Sequence, residues 1–268
     1  MDFIIYVILL LLSGCFAGLM AGLLGIGGGV ILTPIHYFLL LSIGVNSSLA
    51  LHIAFATSLA VILVTMINST REHKKNGFVE TEHLKLMLIF GFIGAVIGSI
   101  ISTHTDVYLL KIFFGFMCLF SVLNMLLIKN PENYDNISHS KNAHLILGLS
   151  AGLLCGLLGV GGGIIMIPSL TILLKYPTHK AIGTSSATII ATSLGGLITN
   201  IILGWNVSGL PPFSLGYVNL TQFVFLTITS SIVSVQAAKL SKNINPKILK
   251  ASHIIIVLYM GLKMVGLI

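Results

Sequence analysis

Ala17–Pro34 reads AGLMAGLLGIGGGVILTP, and Ala151–Pro168 reads AGLLCGLLGVGGGIIMIP. Twelve of the eighteen positions are identical, and the others mostly exchange small or apolar residues, such as Met20 for Leu154 and Ile26 for Val160. The glycines and the proline keep register, which chance does not explain even in a glycine-rich chain. The sequence is therefore a duplication. Weaker matches follow in the same order: Ala56-Thr57-Ser58 with Gly183-Thr184-Ser185, Gly77-Phe78-Val79 with Gly216-Tyr217-Val218, and Leu110-Lys111-Ile112 with Pro246-Lys247-Ile248.

Around these anchors each half holds five apolar segments. They fall near residues 3–24, 29–42, 48–68, 84–102 and 108–128, then near 143–159, 162–174, 181–203, 220–238 and 248–267. Of the 268 residues, 56% are hydrophobic and 8% are charged, against roughly 25% charged in a soluble domain. A bilayer core needs about 20 apolar residues per helix, and Ile43–Thr70 holds no Asp, Glu, Lys or Arg at all. The fold class that follows is all-α: a polytopic transmembrane bundle of about 8–10 membrane segments. The domains are a first repeat at 1–128, a cytoplasmic linker at 129–142 and a second repeat at 143–268. The linker, KNPENYDNISHSK over Lys129–Lys141, reads as a polar surface loop.

The net charge of +7 does not point to nucleic acid, because the basic residues form no basic face. They mark a membrane side instead. Arg71, Lys74, Lys75 and Lys85 follow or open segments of the first half, whereas Ser42–Ser47 and Thr103–Leu110 are bare. In the second half the order reverses: Lys175 and Lys180 flank the first loop, Gly204–Asn219 is bare, and Lys239, Lys242, Lys247 and Lys250 follow. Twelve of the fourteen Lys and Arg residues fall on one side of an alternating topology, Lys111 and Lys263 being the exceptions. An odd number of segments per half gives two halves of opposite sense, with both termini outside and the linker inside. Inverted repeats are a recurrent plan of secondary transporters.

The candidate substrate site lies at the glycine runs: Gly25, Gly27, Gly28 and Gly29 in the first half, and Gly159, Gly161, Gly162 and Gly163 in the second. Three successive glycines weaken a helix by about 1 kcal/mol each. Unwound backbone is tolerated at membrane depth only against protein or a wet cavity. Pro34 and Pro168 follow five residues after each run and predict a break or kink, hence half-length, bent or re-entrant helices meeting at the glycines. Exposed N–H groups at a helix start attract anions. The competing account is close helix packing, which also fits Gly14, Gly18, Gly22 and Gly148, Gly152, Gly156 at four-residue spacing. Thr57, Ser58, Thr184 and Ser185 recur within the third segments, and their hydroxyls donate either to an anion or to a backbone carbonyl.

His52, one turn before Ala56-Thr57-Ser58, is the first candidate for proton coupling. His36 and His253 rank after it. Cys15, Cys118 and Cys155 show no metal-ligand spacing, and no Lys-Ser or Lys-Thr follows the glycines as a phosphate loop requires. No metal and no cofactor are expected, nor is an enzyme, because no HExxH or Gly-x-Ser-x-Gly motif is present.

The paired AGLxxGLLGxGGG…P motifs, the small-Thr-Ser triplets and the opposed halves resemble the TauE/SafE sulfite exporter family across essentially the whole chain. The resemblance implies a bacterial-type plasma-membrane transporter of small, often sulfur-containing anions such as sulfite or sulfonates. The chain departs from the pattern at Ser230–Lys239, where glycines corresponding to Gly94 and Gly98 are absent. The expected partners are a small anion, the lipid bilayer and protons as a candidate coupling ion; no oligomeric state is assigned. An anion channel on the same frame is the alternative, and a structural or assembly protein is a more distant one.

Overall fold

The computed structural model describes residues 3–24, 27–127, 140–240 and 246–267. The first half contains α1 (Phe3–Leu24), α2 (Gly29–Ser42), α3 (Ser47–Lys75), α4 (Leu84–His104) and α5 (Val107–Leu127). The second contains α6 (Lys141–Leu158), α7 (Gly163–Pro168) running into a π-helical turn over Ser169–Leu173, α8 (Thr178–Leu203), α9 (Leu220–Leu240) and α10 (Pro246–Val265). A two-residue hairpin pairs β1 (Ser214–Leu215) with β2 (Val218–Asn219) just before α9. Seven of the described helices are long and apolar enough to cross a membrane, and two shorter apolar helices cover Gly29–Ser42 and Gly163–Leu173. The chain is thus a multi-pass, all-α membrane protein.

Local chemistry sets the ends of the helices. The Asn46 side chain accepts from Ser48 N at 2.9 Å and caps α3, satisfying a donor that the first turn leaves open. The last turn of α3 carries His73, Lys74 and Lys75, favourable beside the negative end of the helix dipole. This basic turn extends α3 past residue 68, where the apolar run stops, to Lys75. Pro246 opens α10, at the position where a missing N–H costs least. Pro34 does not break α2, which runs through it to Ser42; in the sixth helical position the ring removes one hydrogen bond only. At Pro168, by contrast, α7 ends and widens into the π turn.

Packing exchanges partners between the halves. In hydrocarbon, helices associate by close van der Waals contact rather than by expulsion of water, so small residues line the joints. Along α6, Gly148, Gly152 and Gly156 lie against the backbone at Met87, Gly91 and Ala95 of α4. Along α1, Gly14, Gly18 and Gly22 lie against α9 at Leu226, Ser230 and Ser234. The first helix of each half therefore beds on the fourth helix of the other. The glycines missing from α9 are replaced by Ser230, Ser234, Ala237 and Ala238, which suffice because α1 already supplies glycine on the opposing face.

These contacts also fix helix directions. Both joints rise in residue number together, so α1 runs with α9, and α6 with α4. Asn219 N reaches Thr57 Oγ1 and Thr65 Oγ1 reaches Ser230 Oγ, so α3 also runs with α9. Asn200 Nδ2 donates to Ser99 Oγ at 3.2 Å, and Gly195 lies on Phe92, so α8 runs with α4. At the centre α3 and α8 run oppositely, with Gly196 beside Leu59 and with Ile189 and Ile62 both flanking Gly27.

Candidate functional site

The two glycine runs meet at the centre of the bundle. A β-carbon on Gly29 would fall 2.8 Å from Val160 Cα and 2.9 Å from Gly159 O. Ile62 of α3 and Ile189 of α8 close on both Gly27 and Gly161. Gly28 and Gly162 adopt left-handed backbone (φ +70° and +77°) and head α2 and α7. Each also approaches its preceding helix so closely that a β-carbon would lie 2.8 Å from Ala17 O or 2.6 Å from Ala151 O. Gly27, Gly28, Gly29, Gly159, Gly161, Gly162 and Gly163 are all buried; Gly25 lies outside the described residues. Half-length helices occur as expected for α2 and α7, while α1 and α6 are full length. In this arrangement the hairpins touch, so the glycines of the candidate site also serve close packing.

Adjacent residues of the Thr-Ser doublets part company. Ser58 Oγ lies 3.1 Å from Thr33 Oγ1 and 3.2 Å from His36 Nδ1, and Thr33 Oγ1 also lies 3.2 Å from Gly159 O. This buried cluster on α2 and α3 touches the other half's glycine run. Ser185, the counterpart of Ser58, is buried with no hydrogen-bond partner for its Oγ among the described residues. Thr57 and Thr184 turn away from the glycines to loops of the opposite half. Thr57 Oγ1 accepts from Asn219 N, and Thr184 Oγ1 accepts from Glu80 N, both at 3.0 Å.

The same loops are gripped a second time. The His52 ring stacks on Tyr217 at 5.3 Å and the His179 ring stacks on Phe78 at 5.1 Å. His52 also lies within hydrogen-bond reach of Ser48 O (2.9 Å) and Ser102 O (3.3 Å). His52 and Thr57 do share a face, but it looks onto the Tyr217–Asn219 loop rather than onto the glycines. His179 is not among the residues that the sequence singles out; the five-residue step from His52 to Thr57, repeated from His179 to Thr184, is the signal that identifies it. Because α3 and α8 run oppositely, the two matching clasps sit at opposite ends of the bundle.

The buried polar side chains among the described residues are Ser, Thr, His, Asn and Gln, with no Lys, Arg, Asp or Glu. One clasp carries an ion pair, Lys180 Nζ to Glu80 Oε2 at 2.9 Å. The Lys180 hydrogen bond holds the Glu80 carboxyl below the ordinary carboxylate range. A carboxyl lowered in the folded state stabilises the fold above its unfolded pKa, and that contribution disappears as pH falls through the lowered value. The Glu80→Gln variant should therefore melt below the parent protein at neutral pH and converge with it in acid. Melting curves across pH 3–8 test this; a constant difference would be the contrary result. Being partly exposed, the pair is expected to shift melting only slightly.

Residues 10–264 match the family model of the sulfite exporter TauE/SafE. The chain is 30% identical to a probable membrane transporter protein of Methanocaldococcus jannaschii, covering 98% of this chain and 97% of the relative. It is 27% identical to a probable membrane transporter protein of Haemophilus influenzae over 97% of this chain and 98% of that one. It is 29% identical to the probable membrane transporter protein YunE of Bacillus subtilis over 76% and 80% of the two chains. No solved structure matches. A match that runs from the first helix to the last, with the glycine hairpins inside it, places this chain in the TauE/SafE sulfite exporter family.

Proposed function

We propose that this protein is a secondary carrier of small, sulfur-containing anions such as sulfite or sulfonates, working by alternating access. Its two halves are read as inverted repeats in a bacterial-type plasma membrane, with both termini outside and the 129–142 linker in the cytoplasm. The single observation that carries the reading is the pair of matching clasps at opposite ends of one closed, glycine-lined centre. His52 and Thr57 hold Tyr217–Asn219 at one end; His179 and Thr184 hold Phe78–Glu80 at the other. A carrier needs two such seals, opened in turn. The opposed directions of α1 and α6, α3 and α8, and α4 and α9 support the inversion. The family's description as a sulfite exporter supports the substrate class.

Flux into proteoliposomes tests it. Labelled sulfite, thiosulfate, sulfonates and simple carboxylates should be offered with and without a pH gradient. The expected result is saturable uptake of at least one sulfur oxyanion, accelerated by the same anion inside. Large unitary currents without such acceleration would favour a channel and sink the carrier reading.

A further inference from the structure

We propose that the first half alone builds a seat for a singly charged oxyanion head group, and that His36 is its specificity-determining residue. This rests on the carrier reading above and names the charge class that the carrier accepts.

The cluster of Thr33, His36 and Ser58 is surplus to the architecture. Thr33 precedes Pro34 just as Ile167 precedes Pro168, and at the same offset His36 corresponds to Leu170. The second half thus fills both positions with apolar side chains, so the frame does not need polar ones. All three residues of the first-half cluster are fully buried, where polar groups cost free energy unless each is satisfied. They are not all satisfied. Thr33, Ser58 and Gly159 O serve one another and His36 Nδ1, and the Ala54 backbone also makes a hydrogen bond to the ring. His36 Nε2 has no hydrogen-bond partner among the described residues. An oxyanion supplies the acceptor that the Nε2–H form of the ring lacks; in that form Ser58 donates to Nδ1 and Thr33 donates to Gly159 O or Ser58 Oγ, so Nε2–H is the donor left for a ligand. The seat abuts Gly159, so a head group held there sits where the two halves touch.

The charge class follows from what is absent. Among the described residues no Lys or Arg is buried; the ammonium groups that lie against α2, Lys111 on Tyr37 and Lys263 on Phe38, rest on aromatic rings and not on Thr33, His36 or Ser58. The cost of taking an ion out of water rises with the square of its charge, making a dianion about four times as expensive as a monoanion. An imidazole N–H compensates one charge far more readily than two. The matching ligands are hydrogensulfite, organic sulfonates and carboxylates; sulfate does not match.

The test uses the full-length protein in proteoliposomes, with methanesulfonate, hydrogensulfite and acetate as monoanions and sulfate as the dianion. The parent protein should carry at least one monoanion ten or more times faster than sulfate. His36→Leu places in α2 the residue that Leu170 supplies in the second half, and should raise the half-saturating concentration at least tenfold with unchanged melting. His36→Gln, which keeps an N–H donor, should restore most of the affinity. Sulfate carried as fast as the monoanions overturns the charge class while leaving the carrier intact. An unaltered half-saturating concentration in His36→Leu, or no restoration by Gln, overturns the role of His36. A parent protein that moves no anion removes the carrier reading itself and this inference with it.

Discussion

Alanine in place of Gly28, or of Gly162, should cut anion flux by more than tenfold and lower the melting temperature by roughly 5–10 °C. Two costs coincide at these positions. Left-handed backbone at φ +70° and +77° costs an L-residue about 1–2 kcal/mol. The new methyl group also has nowhere to go, because it would press on Ala17 O or Ala151 O, the backbone of the neighbouring helix. Relief requires each short helix to swing away from the full-length helix before it, which parts the glycine hairpins. Gly44 is the internal control. It shares the left-handed conformation at φ +86°, yet nothing lies within 4 Å of a β-carbon there. Gly44→Ala should therefore lose some stability and keep its flux. Equal flux from the Gly28→Ala and Gly44→Ala proteins would show that the hairpin contact has no part in transport.

The larger structural effect is expected at Gly152. A β-carbon there would collide with Gly91 O, and would lie 2.8 Å from Gly91 C and 3.0 Å from Ala95 N. These are backbone atoms within α4, with no flexible side chain to yield. Adding one methylene to a packed interior typically costs 1–3 kcal/mol, and Gly152→Leu adds a whole branched side chain against a helix backbone. The variant should fail to yield monodisperse protein in detergent. Gly18→Leu should behave alike, since its β-carbon would strike Ser230 O. Ser230→Gly, on the other side of that joint, should be tolerated. A monodisperse Gly152→Leu protein melting within a few degrees of the parent would contradict the packing described for α4 and α6.

Much of the bundle was legible because apolar length and glycine spacing are properties of a single segment. The segment limits near 3–24, 29–42 and 84–102 lie within a few residues of α1, α2 and α4, and the four-residue glycine stripes lie at the joints. Side-chain direction was less legible. Successive residues on a helix point about 100° apart, so a doublet such as Thr57-Ser58 is split between two neighbours that only the assembled bundle reveals. His36 was harder still, since it lies in an apolar run and has no polar counterpart to mark it. Its significance emerges from the contrast with Leu170, once the two halves are laid over each other. The proline signal predicted a break or a kink, and the helix carries through in one half and ends in the other. A proline one turn inside a helix can be absorbed, as in α2, or can end the regular turn, as in α7, and the surroundings decide which.

The partner exchange between α1 and α9, and between α6 and α4, has an evolutionary corollary. Neither five-helix set completes its own interior, because its most closely fitted joints are made with the other set. A chain of half this length would leave its glycine grooves bare to lipid and would be complete only as a twofold dimer of identical subunits. Fusion of two such genes would then fix in one polypeptide a symmetry that first existed between two. Only after that step would the two copies be free to differ, as Thr33 and His36 now differ from Ile167 and Leu170.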